Sequence, residues 1–176
     1  YKGETLKVSE VPWDYSLNWM LITIPIQYLI LFAIGFSITI FNNLNIFKIN
    51  NIYKFIDVII FLIIIGTISA VILFSSTLYN GWRHLYFIYP CIIYFSILSI
   101  FFLKKKLNSN FLKTIYLFVF ISMIYTAGWM YKYHPYQYAY FNKFAGKNIE
   151  EKFDVDYWGL SYKQSLEKLI KFDRTN

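Results

Sequence analysis

Four apolar runs, Trp19 to Phe41, Phe55 to Phe74, Leu85 to Leu103 and Phe111 to Tyr131, are each 19 to 23 residues long. At ~1.5 Å of rise per helical residue, such a run crosses a hydrocarbon core of roughly 30 Å. A soluble fold is excluded, because one core could not hide a chain that is 57% hydrophobic and 23% aromatic with 15% charged residues. The sequence predicts an all-α polytopic membrane protein with four transmembrane helices. Residues 1–18 form an outward N-terminal segment, 19–131 the four-helix region (19–41, 55–74, 85–103, 111–131), and 132–176 a small extramembranous tail. Membrane lipid is its first partner. The net charge of +7 reflects lysines flanking apolar spans, which is not a nucleic-acid signature.

Short loops rich in Lys and Arg stay in the cytoplasm. The loop 42–54 carries Lys48 and Lys54 without an acid, and the loop 104–110 carries Lys104, Lys105 and Lys106. Both loops share a side, so the expected localisation is multi-pass in the inner (plasma) membrane. The N-terminal segment, the loop 75–84 and the tail then face outward. The tail holds eight basic and six acidic residues, unlike a polybasic lipid patch. Within it Leu166, Leu169, Ile170 and Phe172 recur at helical spacing behind Ser161 as N-cap. That pattern predicts a short amphipathic helix over 161–172, packed back on the protein.

Inside the spans, Asp57 and Lys113 are expected to reach the cytoplasmic interface, leaving no ionisable group near the bilayer centre. This disfavours an ion relay, and no matched pair of broken spans suggests a transporter. Pro25, Gly35 and Gly66 are tolerable irregularities in membrane helices. Gly, Ser and Thr are sparse among Phe, Ile and Leu, so the spans are expected to face lipid. Cys91, the single cysteine, sits in the third span as a small hydrophobe. Tyr1 opens the chain, no signal peptide is visible, and the first methionine, Met20, already lies in a span. We therefore expect a piece of a longer protein that lacks N-terminal sequence.

Three outward motifs carry unusual polar chemistry. Asn80-Gly-Trp-Arg-His84 puts a guanidinium fork and an imidazole at the membrane surface, where they suit a phosphate. The plainer reading has Arg83 reaching up to ordinary lipid phosphates and Trp82 joining the aromatic belt. Tyr131 to Asn142 places aromatic residues at nearly every other position, which suits an extended interfacial segment, with Pro135 stopping the helix at or before His134. Tyr rings there can stack on sugars, or serve the belt alone. Asp154 and Asp156 form an acidic pair that could hold a divalent metal or cap a following helix.

Together these motifs resemble the C-terminal region of a bacterial family of polytopic glycosyltransferases, related to the protein O-mannosyltransferases and aminoarabinose transferases (glycosyltransferase family 39, the GT-C group). The resemblance rests on Asn80-Gly-Trp-Arg-His84 before a span with Pro90, on His134-Pro-Tyr-Gln-Tyr-Ala-Tyr-Phe-Asn142, and on Asp156-Tyr-Trp-Gly-Leu-Ser-Tyr-Lys163. Val11-Pro-Trp-Asp-Tyr15 before a span with Thr23 and Pro25 also fits. It implies sugar transfer from a polyprenyl-phosphate donor at the outer membrane face, with the catalytic carboxylate in an upstream loop and further N-terminal helices as partners. Substrate contacts are expected from Arg83, His84, His134, Tyr136, Tyr138, Asn142, Asp156, Tyr157 and Trp158. No resident cofactor is implied beyond room for a divalent metal in the parent enzyme. The family pattern has Asp where this chain has Asn80, so no charge role passes to that position. The alternative class is a non-catalytic four-helix subunit or a transporter fragment.

Overall fold

The computed structural model describes residues 1–4, 7, 10–43, 51–76, 78 and 80–175. Among the described residues all regular structure is helical: α1 (Tyr15–Thr23), α2 (Ile26–Asn43), α3 (Ile52–Leu73), α4 (Tyr89–Lys106), α5 (Ser109–Lys132), α6 (Ile149–Lys152) and α7 (Tyr162–Thr175). Short 3-10 turns cover Arg83–Ile88, Gln137–Ala139 and Lys143–Ala145. Three helical stretches are long and apolar enough to cross a membrane: Ile52–Leu73, Arg83–Lys106 and Ser109–Lys132. Lys48 lies outside the described residues. Lys54 belongs to the first turn of α3, and Lys104 to Lys106 form the last turn of α4, where cations face a helix C-terminus favourably. Asn51 and Asn108 cap α3 and α5, their side-chain oxygens accepting from the amides of Tyr53 (3.0 Å) and Phe111 (2.9 Å).

The first expected span is not one helix. α1 and α2 are separated by Ile24 and Pro25, and the apolar part of α2, Ile26–Phe41, is shorter than the other three stretches. Proline has no amide to donate and forces the residue before it out of the helical region; Ile24 has ψ 134°. The break frees the carbonyls that residues 25 to 28 would have satisfied. Asn142 takes up three of these bonds from the far end of the chain. Its side-chain amide donates to the carbonyls of Leu21 (2.6 Å) and Ile24 (2.7 Å), and its backbone amide donates to that of Ile22 (2.8 Å).

The core runs between α2 and α4. Gly35 lies so close to α4 that a Cβ there would sit 1.9 Å from the Phe95 carbonyl oxygen. Thr39, Ser96 and Ser99 are buried beside it, and the Ser96 hydroxyl reaches the Tyr28 carbonyl on α2 at 3.2 Å. Small residues let two backbones meet in this way where no hydrophobic force distinguishes protein from lipid. Phe95, fully buried, stands edge-on to Phe36 (5.5 Å, 86°), which stacks on Phe61 of α3 (4.9 Å, 25°). Asp57 also joins α3 to α4. It is buried 6 residues into α3 and accepts a 2.5 Å bond from the Tyr94 hydroxyl of α4. By contrast α5 buries none of its residues.

The tail folds onto the N-terminal segment. Tyr1, Tyr15, Trp19, Phe141 and Phe153 form a continuous aromatic cluster with centroid separations of 4.8 to 6.2 Å. α7 does not follow them inward. Leu166, Leu169, Ile170 and Phe172 are all exposed, so the amphipathic helix is present but its apolar stripe is not packed back on the protein.

Candidate functional site

A hollow of about 110 Å³ opens where the end of the 75–84 loop meets α1 and the tail. Trp19, Thr23, Gly81, Trp82, Arg83, Tyr138, Asp154, Tyr157 and Trp158 are among its walls. Its floor is set by the Gly81 turn, whose φ of +73° suits glycine and whose amide donates to the Tyr15 hydroxyl at 3.2 Å. Trp82 does not join an aromatic belt. It is buried, and its indole N–H donates to the Thr23 hydroxyl at 2.8 Å, which in turn donates to the Trp19 carbonyl at 2.6 Å. That fixed indole aims the next residue, Arg83, across the hollow. The Arg83 guanidinium carbon lies 4.5 Å from the Trp158 ring centroid and 6.0 Å from that of Tyr157, within cation–π range.

The facing wall is a braced turn. Asp156 accepts from the amides of Leu160 (3.0 Å) and Ser161 (3.1 Å), from the Ser161 hydroxyl (2.5 Å), and from the Tyr138 hydroxyl. Gly159, with φ +63°, closes the turn against the Tyr162 ring. The Ser161 hydroxyl bond, then that from Tyr138, holds the Asp156 carboxyl down to about 2. Partial burial and the neighbouring carboxylate push the Tyr138 phenol up to about 12. Ser161 precedes α7 as expected, but its hydroxyl serves Asp156. The acidic pair does not fit a divalent cation, since both Asp156 oxygens are committed to this turn, and no group of three metal-ligating side chains gathers among the described residues. Asp156 thus presents Tyr157 and Trp158 and does not itself line the hollow.

The remaining expected contacts disperse. His84 is exposed and outside the lining. The segment from Tyr131 to Asn142 is not extended. α5 ends at Lys132, ahead of Pro135 as expected, and successive turns follow, with the amides of Tyr136 and Ala139 donating to the carbonyls of Tyr133 (2.6 Å) and Tyr136 (3.1 Å). Within them His134 Nδ1 sits 2.8 Å from the Gln137 amide nitrogen, and the Tyr136 hydroxyl donates to Gln164 of α7 at 2.6 Å. Asn142 lies buried beneath, spent on the α1–α2 break. Trp19, at the start of the first apolar run, and Thr23, named only within the resemblance, line the hollow without having been expected as substrate contacts. Their i, i+4 spacing on α1 was the available signal.

On the other side of Phe141 lies a larger cleft of about 480 Å³ between α2 and α5. Ile26, Ile30, Phe118 and Ile121 line its apolar depth, and Tyr140, Asn142 and Lys143 lie at its outer end. Gln27 donates to Thr126 across it at 3.1 Å. The chain matches no protein-family model, no curated protein and no solved structure.

Proposed function

We propose that the chain is the outer-face part of a membrane glycosyltransferase that moves a sugar from a polyprenyl-phosphate donor to an acceptor. Arg83 supports this best: its guanidinium stands at the mouth of a membrane helix, beside Trp158 and within reach of Tyr157, in a hollow that also holds Tyr138 and Asp154. In the reaction an acceptor oxygen bonds to the anomeric carbon as the carbon–oxygen bond to phosphate breaks, and the acceptor proton passes to a base. The departing phosphate gains charge, which the Arg83 fork stabilises. Trp158 and Tyr157 offer faces for a sugar ring. The cleft beyond Phe141 takes the prenyl chain. The base is a carboxylate other than Asp156, whose oxygens are held by Tyr138, Leu160 and Ser161.

In this reading α1 and α2 together make a first, broken crossing, giving four. Loops 42–54 and 104–110 lie in the cytoplasm and the tail on the outer face. Labelling intact cells with an impermeant thiol reagent tests this in a Cys91→Ala background. A cysteine replacing Asn148 reacts and one replacing Asn108 does not; the reverse pattern overturns the topology.

The chemistry is tested in the active full-length enzyme. A charge-assisted bond is typically worth about 1.5 to 3 kcal/mol, so Arg83→Ala is expected to lower transfer by ~10- to 100-fold at unchanged expression. Arg83→Lys recovers only part of it, because lysine lacks the bidentate fork. Equal activity of the Lys variant and wild type would mean that Arg83 contacts bulk lipid phosphate only.

A further inference from the structure

α7 spans 14 residues, and on the helical period Tyr162, Leu166, Leu169 and Ile170 share one face. All four are at least half exposed. Ser165 and Asp173 interrupt the stripe, Lys163 and Lys168 stand at its two edges, and Gln164, Glu167 and Lys171 lie opposite. A bond that ties the helix to the molecule is on the polar side: Gln164 accepts from Tyr136, just past the end of α5. The apolar stripe therefore points away from the chain, and turning it inward would break that bond. The apolar exposure continues upstream through Leu160 and Trp158.

We propose that α7 lies flat in the bilayer surface on the side where α5 emerges, with Tyr162, Leu166, Leu169 and Ile170 in the acyl boundary and its lysines on anionic lipid headgroups. Three observations select lipid as the occupant. The helix is held at the end of a membrane-length helix, its apolar face is bordered by cations on both edges, and aromatic residues of the interfacial type lead into it. A soluble partner would have no need of that flanking charge. The inference does not depend on sugar transfer, since it uses only the position of α7 at the end of α5.

The test uses the full chain with Cys91→Ala, reconstituted in vesicles of phosphatidylcholine with or without phosphatidylglycerol. An environment-sensitive fluorophore is placed on Leu169→Cys or, as the polar-face control, on Glu167→Cys. The label at 169 is expected to emit as in an apolar medium and to be quenched severalfold more by nitroxide-bearing lipid than the label at 167. The label at 167 is quenched by aqueous iodide. Phosphatidylglycerol should deepen quenching at 169, and the triple change Lys163→Gln, Lys168→Gln, Lys171→Gln should cancel that gain. Apolar emission at 169 without quenching by lipid nitroxide would show a protein covering the stripe and overturn the proposal. Equal iodide access at 167 and 169, or indifference to phosphatidylglycerol, overturns it as well.

Discussion

α4 and α5 are both apolar helices of membrane-crossing length once the turn at Arg83 is added to α4, yet α4 meets α2 backbone to backbone while α5 buries none of its residues. Hydropathy does not separate them. The difference lies in small residues: Gly35 and Thr39 on α2 face Ser96 and Ser99 on α4, whereas Gly128 on α5 has nothing within 4 Å of where its Cβ would stand. In lipid, an apolar side chain gains little by leaving its solvent, so close approach and interhelical hydrogen bonds choose the pairs.

Gly35→Ala attacks the comparison at its strongest point. Its methyl group meets the Phe95 backbone, which cannot swing aside, so α2 and α4 must separate; a loss of about 3 kcal/mol is expected. Thermal unfolding in detergent measures it. Stability equal to wild type would mean that the α2–α4 contact is looser than described. Asn142→Ala comes next. It leaves the Leu21 and Ile24 carbonyls without their donor, and we expect a loss of about 2 kcal/mol in the same assay, with Asn142→Asp no better because a carboxylate has no amide hydrogen to donate.

The Asp156 carboxyl is held below its ordinary 3.8, at about 2. Its contribution is therefore present above the ordinary value and is lost as pH falls through the lowered one. Pepsin cleavage beside Tyr157 and Trp158 should begin in the wild type only as pH falls toward about 2, whereas Asp156→Asn, which has no carboxylate to titrate, should be cut across the whole acid range in which pepsin works. A common onset for both would detach Asp156 from the turn. Smallest is Gly128→Ala on α5, where open space leaves only helix propensity to act; a gain below ~1 kcal/mol is expected. A loss there would reveal a neighbour packed on α5.

Much of the helical plan was legible because length and hydropathy act locally. The ends of α3, α4 and α5 fall close to the expected spans, with Asn51 and Asn108 as caps. The first span misled because apolar side chains continue across Pro25, so a hydropathy reading does not register the missing amide. The bond that Asp57 accepts from Tyr94 is not legible, because sequence distance from the helix end says nothing of a side chain across the gap. At the site, Arg83, Tyr138, Tyr157 and Trp158 were all singled out and do share one hollow. Asn142 was read as a substrate contact because its partners, Leu21, Ile22 and Ile24, lie far upstream and offer only backbone oxygens, which no motif records.

That long reach bears on how the molecule is made. The donor for the Leu21 and Ile24 carbonyls stands 121 and 118 positions later in the chain. A ribosome releases the two ends of this contact far apart in time, and α3, α4 and α5 are all synthesised in between. Until residue 142 emerges, the carbonyls at the break must turn to water or headgroups. The break between α1 and α2 is thus closed only after α3, α4 and α5 have been made.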